Sequence, residues 1–150
     1  MKFTIERMIL LKSLGHVQNV VEKRNTIPIL SNVKIEASPN FLQFNATDMD
    51  LDIVERVAAE IEEDGAITVS AHTIYDIVRK LPEGSQVELR SSGDGQIFLN
   101  SGRSQFTLSC LPISEFPIMS EGKLDNSFSL SNASWTLNFI PKRMLCSWVL

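Results

Sequence analysis

Cysteine is scarce in this sequence. Among 150 residues only Cys110 and Cys146 occur, and their spacing fits neither a disulfide framework nor a paired-thiolate zinc motif. No early apolar run preceded by basic residues marks a secretory signal, so a reducing cytoplasm is the expected compartment. No window approaches the roughly 18–20 uninterrupted apolar residues that a membrane-spanning helix needs. Seven glycines are scattered through turns, and none builds the glycine-rich loop that cradles phosphates. What is present is a 43% hydrophobic share, enough to bury the core of one ordinary domain with a short appendage.

Net charge is −4, which taken alone argues against a nucleic-acid partner, but the charges are unevenly spread. From Met1 to Ile35 six basic residues (Lys2, Arg7, Lys12, Lys23, Arg24, Lys34) face two acids, Glu6 and Glu22. From Glu36 to Asp64 nine acids (Glu36, Asp48, Asp50, Asp52, Glu55, Glu60, Glu62, Glu63, Asp64) face Arg56 alone. One electropositive and one electronegative side are expected.

The segment Lys2–Glu6 alternates polar and apolar residues, as a half-buried strand does. From Arg7 to Val21 the residues Leu10, Leu14, Val17 and Val21 recur every three to four positions, one apolar stripe on a helix whose other face carries Lys12, His16 and Asn19. Three β-rich runs follow at Ile27–Glu36, Phe41–Ala46 and Leu51–Val57, divided by Ser38-Pro39-Asn40 and Asp48-Met49-Asp50. After an acidic turn at Glu62–Gly65 the plan starts again. Ala66–Val69 reads as a strand and Ser70 as a helix N-cap. Ile74, Ile77, Val78 and Leu81 then form a stripe that Pro82 ends. Strands at Gln86–Arg90, Gln96–Asn100 and Gln105–Cys110 complete it.

This predicts an α+β fold of two β-α-β-β-β units, with two helices on one face of antiparallel sheet. Their outer faces would carry Lys12, His16, Lys23 and Arg24 from the first unit and His72, Arg79 and Lys80 from the second. Acids would then belong to the sheet side.

Other constellations are weaker. Asp48-Met49-Asp50-Leu51-Asp52 opens like a calcium loop, but Ile53 stands where such a loop needs glycine and Ala59 where it needs glutamate. His16, His72, Cys110 and Cys146 have no ligand spacing, and Cys110 reads as a buried structural thiol. No metal, cofactor or catalytic set is expected. Basic residues on a helix are solvated surface in most proteins, which leaves two rivals to DNA contact: a small α+β enzyme acting on an anionic ligand, and a protein-binding module. An enzyme needs a concave site with convergent titratable groups, whereas a DNA-contact domain needs a broad electropositive helix surface.

Several segments in order resemble one family. They are Met1–Arg7, Arg24–Val33, Ala46–Asp50, Leu81-Pro82-Glu83-Gly84, Ser101-Gly102-Arg103-Ser104, and Leu111-Pro112 with Glu115-Phe116-Pro117. From Met1 to about Ser134 the chain is similar to the beta subunit of bacterial DNA polymerase III, the replicative sliding clamp. The resemblance implies the DNA-clamp fold in a ring-shaped dimer of three similar domains per subunit. Helices would line the hole, and weak nonspecific phosphate contacts would aid DNA replication without catalysis. It implies that Arg24, in the turn after the first helix, touches DNA; Lys12, Lys23 and Arg79, from the helix-face reading, are expected as contacts beside it. His72 and Thr73 stand where the family often has a basic pair, so neither supplies a full charge there. Gln105-Phe106-Thr107-Leu108 matches the edge strand that pairs with the neighbouring subunit. Phe106 and Leu108 would be its apolar anchors, Arg103 an ion-pair partner, and Gln105 replaces a residue basic in some relatives.

The implied organisation is a clamp amino-terminal domain over residues 1–120, a linker and start of a second clamp domain over 121–134, and a divergent tail over 135–150. The tail lacks a helical stripe, carries Pro141 and both tryptophans, and is expected to mark a truncated or frame-shifted product. The family binds polymerase and clamp loader through domains beyond this match. The isolated chain is therefore expected to stay monomeric, or to aggregate through its tail and edge strand, rather than close a ring.

Overall fold

The computed structural model describes residues 1–21 and 26–117 in full and, as backbone alone, residues 126–130, 135–140 and 143–149. Strand β1 (Lys2–Glu6) runs directly into helix α1 (Arg7–Gln18). A 3-10 turn at Pro28–Ser31 leads to the antiparallel meander β2 (Asn32–Ser38), β3 (Phe41–Thr47) and β4 (Leu51–Val57). A short β5 (Glu60–Glu63) follows. The second unit comprises β6 (Gly65–Ser70), α2 (Ala71–Lys80) and the meander β7 (Gln86–Ser91), β8 (Gln96–Ser101) and β9 (Ser104–Ser109).

The two predicted units are present, but each gives its first strand to the other. β1 pairs antiparallel with β7, from Lys2 opposite Arg90 to Glu6 opposite Gln86. β6 pairs antiparallel with β2, from Asn32 opposite Ser70 to Ala37 opposite Gly65. The result is two sheets, ordered β5-β1-β7-β8-β9 and β4-β3-β2-β6, rather than the single sheet surface expected. Beyond β4 the second sheet continues in the tail. Its backbone forms β10 (Asn126–Leu130), β11 (Trp135–Ile140) and β12 (Arg143–Val149), with β12 lying parallel to β4.

Period-2 alternation decides which residues each sheet buries. Phe3, Leu89 and Leu99 stand opposite one another across three strands of the first sheet, all fully buried. In the second sheet Ile35 opposes Phe44, also fully buried. They join Leu10, Leu14, Val17, Ile74 and Val78 from the helices in one continuous core. Each such side chain contributes roughly 1.5–3 kcal/mol by the area it removes from water.

Four local expectations change. The stretch Ile27–Ser31 is not strand, because Pro28 starts a 3-10 turn whose Ile29 and Leu30 pack with Phe116 in a small separate cluster. Glu60–Glu63 is a strand rather than part of a turn, since β1 offers it an open edge. Ser70 sits before α2 but makes no side-chain cap to the backbone, and its Oγ accepts the Thr73 hydroxyl at 2.9 Å. Finally, α1 stops at Gln18, and residues 19–21 continue as a tighter turn of i to i+3 bonds.

Thr68 closes the free side of β6. Its buried hydroxyl donates to Leu111 O at 2.6 Å and accepts Leu111 N–H at 3.1 Å, so the chain after β9 runs along that edge.

Candidate nucleic-acid interface

The two helices lie side by side and antiparallel, a relation fixed by contacts at both ends. Arg7, the first residue of α1, is buried on the same stripe as Leu10, Leu14 and Val17. Its Nε donates to Val78 O at 3.1 Å and its Nη2 to Arg79 O at 2.8 Å, satisfying carbonyls at the C-terminal end of α2. At the opposite end His72, the second residue of α2, places Nε2 2.9 Å from Val21 O, beyond the end of α1. Nε2 therefore carries the proton that it donates to this carbonyl. Midway, Gly15 faces the Tyr75 ring, whose Cε2 would lie 3.6 Å from an added Cβ, an ordinary van der Waals distance.

With their stripes buried, the helices present a common outer surface. Lys12 is exposed on α1, and Thr73, Asp76, Arg79 and Lys80 are exposed on α2. Arg79 lies over the Tyr75 ring at 5.9 Å and reaches Asp76 at 3.4 Å, a solvent-exposed pair that leaves its charge largely in water. Asp76 is the sole acid within either helix, so cations dominate this surface. Lys23 and Arg24 fall outside the described residues.

Strand-borne cations are held differently. Lys2 binds Glu62 at 2.7 Å, and that hydrogen bond holds its ammonium above the ordinary lysine range. Lys34 binds Glu36 at 2.9 Å, and Arg56 binds Gln43 while covering the Phe41 ring. The exposed acids Glu60, Glu62, Glu63 and Asp64 cluster on and beside β5. A positive helix side and an acidic strand side thus coexist in a chain of net negative charge.

Two residues expected on outer surfaces are turned inward. His16 is half-buried, with Nδ1 3.0 Å from Glu55 Oε2. Glu55 is fully buried, although its place in an acid-rich stretch suggested the solvated side. The signal was available in β4, where Ile53, Glu55 and Val57 alternate onto the buried face. Arg7 was likewise legible, three residues before Leu10 on the α1 stripe.

The second candidate surface is β9, at the edge of the first sheet. Phe106 opposes Leu99 and Leu108 opposes Ile97, so both point to the core side, and both remain half-buried. Gln105 and Arg103 are exposed, the latter in the turn before the strand.

Comparison with known proteins finds one family and its solved structures. The family described as DNA polymerase III beta subunit, N-terminal domain, matches residues 1–120. The chain is 51% identical over 131 residues to the beta sliding clamp of Caulobacter vibrioides, covering 87% of this chain and 35% of that protein. It is 38% identical over 135 residues to the beta sliding clamp of Escherichia coli K12, covering 89% and 37% respectively. A crystal structure of the Caulobacter crescentus beta sliding clamp superposes with a TM-score of 0.82 at 51% identity, over 87% of this chain and 35% of that one. The chain thus spans about a third of the length of the relatives it matches.

Proposed function

Because this chain belongs, through residues 1–120, to the DNA polymerase III beta subunit family, we propose that its paired-helix surface contacts duplex DNA. The contact is independent of sequence and serves a sliding clamp during strand elongation. The observation that carries this reading is the segregation of charge: Lys12, Arg79 and Lys80 share the helix side, where Asp76 is the single acid within the helices, while most other acids lie on strands and turns. A basic helix surface meets phosphates through nonspecific attraction, and an acidic outer side discourages DNA from binding there. Arg24 is the principal contact, with Lys23, Lys12 and Arg79 beside it and His72 and Thr73 at the start of α2. The role is non-catalytic and belongs to the cytoplasm.

Weak contacts suit the task. Tight phosphate binding slows sliding, whereas a closed ring retains DNA however weak each contact is. Residues 1–120 form the clamp domain, residues 121–134 lead toward a second, and residues 135–150 are a divergent tail. The domain supplies one arc of a head-to-tail ring, and β9 supplies one side of the joint through Phe106 and Leu108, with Arg103 and Gln105 at the rim. Polymerase and clamp loader engage the whole clamp elsewhere.

The test is binding of a short duplex by the 150-residue chain at low salt. Weak binding that falls with salt, ignores sequence and drops on Arg24→Ala supports the reading; binding unmoved by Arg24→Ala removes Arg24 as a contact.

A further inference from the structure

We propose that Asp76 is a positioning residue that holds Arg79 back from phosphate and so keeps the grip of the helix surface on duplex DNA weak. The inference rests on the reading of that surface as the DNA interface. The observation behind it is one acid placed where the surface otherwise offers cations. Asp76 Oδ1 lies 3.4 Å from Arg79 Nη2, and neither helix contains another aspartate or glutamate.

Arg79 is held from three directions. Arg7 Nη2 donates to its carbonyl at 2.8 Å and fixes the end of α2 against α1. Its guanidinium carbon sits 5.9 Å from the centroid of the Tyr75 ring, one turn back, within the reach of a cation–π contact. Asp76, three residues back, lies on the same face because helical spacing puts it there. Tyr75 is half-buried and faces Gly15 of α1, so the packing of the two helices places the ring that receives Arg79. The guanidinium therefore lies along its own helix.

A role in stability accounts for little of this. Both side chains of the pair are 58% exposed, and an exposed ion pair contributes little to folding because water screens it and two side chains must be ordered. Its larger effect is on what approaches from solvent. A phosphate that takes both arms of the guanidinium fork has to displace the carboxylate from Nη2, or bind with that negative charge beside it. The separation is then well inside the roughly 10 Å screening length of 0.1 M salt. Phosphate and Asp76 thus compete for one guanidinium. A clamp that slides needs phosphate contacts that are readily released, and a carboxylate on the same helix that retakes Arg79 after each contact supplies the release.

A double-mutant cycle tests this competition. Duplex binding is measured at several low salt concentrations for the 150-residue chain and for Asp76→Asn, Asp76→Glu, Arg79→Gln and the double variant Asp76→Asn with Arg79→Gln. Asp76→Asn is expected to bind about three- to fivefold more tightly, with a log–log salt slope steeper by up to about 0.9. In the Arg79→Gln background the same change moves affinity by less than about twofold. Asp76→Glu, which keeps a carboxylate three residues before Arg79, binds as the parent does. A gain that is equal in both backgrounds marks general repulsion rather than restraint of Arg79 and overturns the proposal. So does the absence of a gain when Asp76→Asn is made in the parent, or the same gain in Asp76→Glu.

Nuclear magnetic relaxation of the Arg79 Nε–H, without DNA, tests the restraint independently. Greater mobility in Asp76→Asn, reversed in Asp76→Glu, supports it, and unchanged mobility overturns it. Should Arg79→Gln leave duplex binding untouched, the reading of Arg79 as a DNA contact fails, and the relaxation data alone decide the restraint.

Discussion

Replacing Arg7 with Met keeps the apolar stem on the α1 stripe and removes the guanidinium that holds the end of α2. Two hydrogen bonds to backbone carbonyls are lost, at 3.1 and 2.8 Å, along with a weak one to Met8 Sδ at 3.6 Å. Hydrogen bonds from a charged donor contribute about 1.5–3 kcal/mol each, and a cation at a helix C-terminus adds about 0.3–1 kcal/mol. Two terms offset this gross loss: the variant no longer desolvates a guanidinium, and water can reach the carbonyl beside the exposed Arg79 side chain. The net cost expected is about 2–3 kcal/mol. An unfolding entropy of roughly 0.3 kcal/mol/K for a chain of this size turns that into a fall in Tm of about 6–10 °C. Urea unfolding followed by far-UV circular dichroism reads it directly, provided the slope is unchanged. Arg7→Lys keeps the charge but not the fork, so its loss should be about 1–2 kcal/mol. A Met variant within about 0.5 kcal/mol of the parent, or a Lys variant less stable than the Met one, refutes the capping argument.

Two further outcomes follow from local geometry. Met49 holds φ +81 in the β3–β4 turn, where Asp48 Oδ1 accepts the amides of Asp50 and Leu51 and Thr47 Oγ1 accepts that of Met49. Met49→Gly should raise stability by about 0.5–1 kcal/mol in thermal melts and Met49→Val should lower it; a Val variant as stable as the parent contradicts the strain. Burial pushes the half-buried Cys110 thiol above its ordinary range. The folded chain therefore keeps that proton after the unfolded thiol begins losing it near about pH 8.5. The associated stability is full below that pH and is lost as pH rises through the folded value. In a Cys146→Ser background, alkylation by iodoacetamide should lag a free thiol at neutral pH and climb only in more alkaline solution. A profile like that of free cysteine contradicts it.

The parts legible in the sequence were those set by period. Leu10, Leu14, Val17 and Val21 recur as a helix requires, and all four are buried as the stripe predicts. Pro82 ends α2 as expected, because it forces the preceding Leu81 into extended backbone. What periodicity could not carry was partnership between distant segments. Nothing local to Lys2–Glu6 says that its partners are β7 and β5, so the exchange of first strands was missed. The same limit applies to charge: a run of acids suggested a solvated surface, but strand alternation sends Glu55 inward to His16 while its neighbour Arg56 faces water. Among the candidate contacts, exposure of Lys12, Thr73 and Arg79 agrees with their helix positions. His72 was on the expected helix, yet its bond to Val21 O depends on the antiparallel docking of α1, which no short-range pattern encodes.

The central claim is that the helix side, not the strand side, meets DNA. It is tested most directly by salt-dependent binding of a short duplex to two charge-matched double variants of the full chain. One variant, Lys12→Gln with Arg79→Gln, removes two cations from the helices; the other, Lys34→Gln with Arg90→Gln, removes two from the strands. The helix variant is expected to bind more weakly, with a log–log salt slope reduced by up to about 0.9 per lost contact, while the strand variant keeps the parent's slope. Equal losses in the two variants, or a larger loss in the strand variant, contradict the claim.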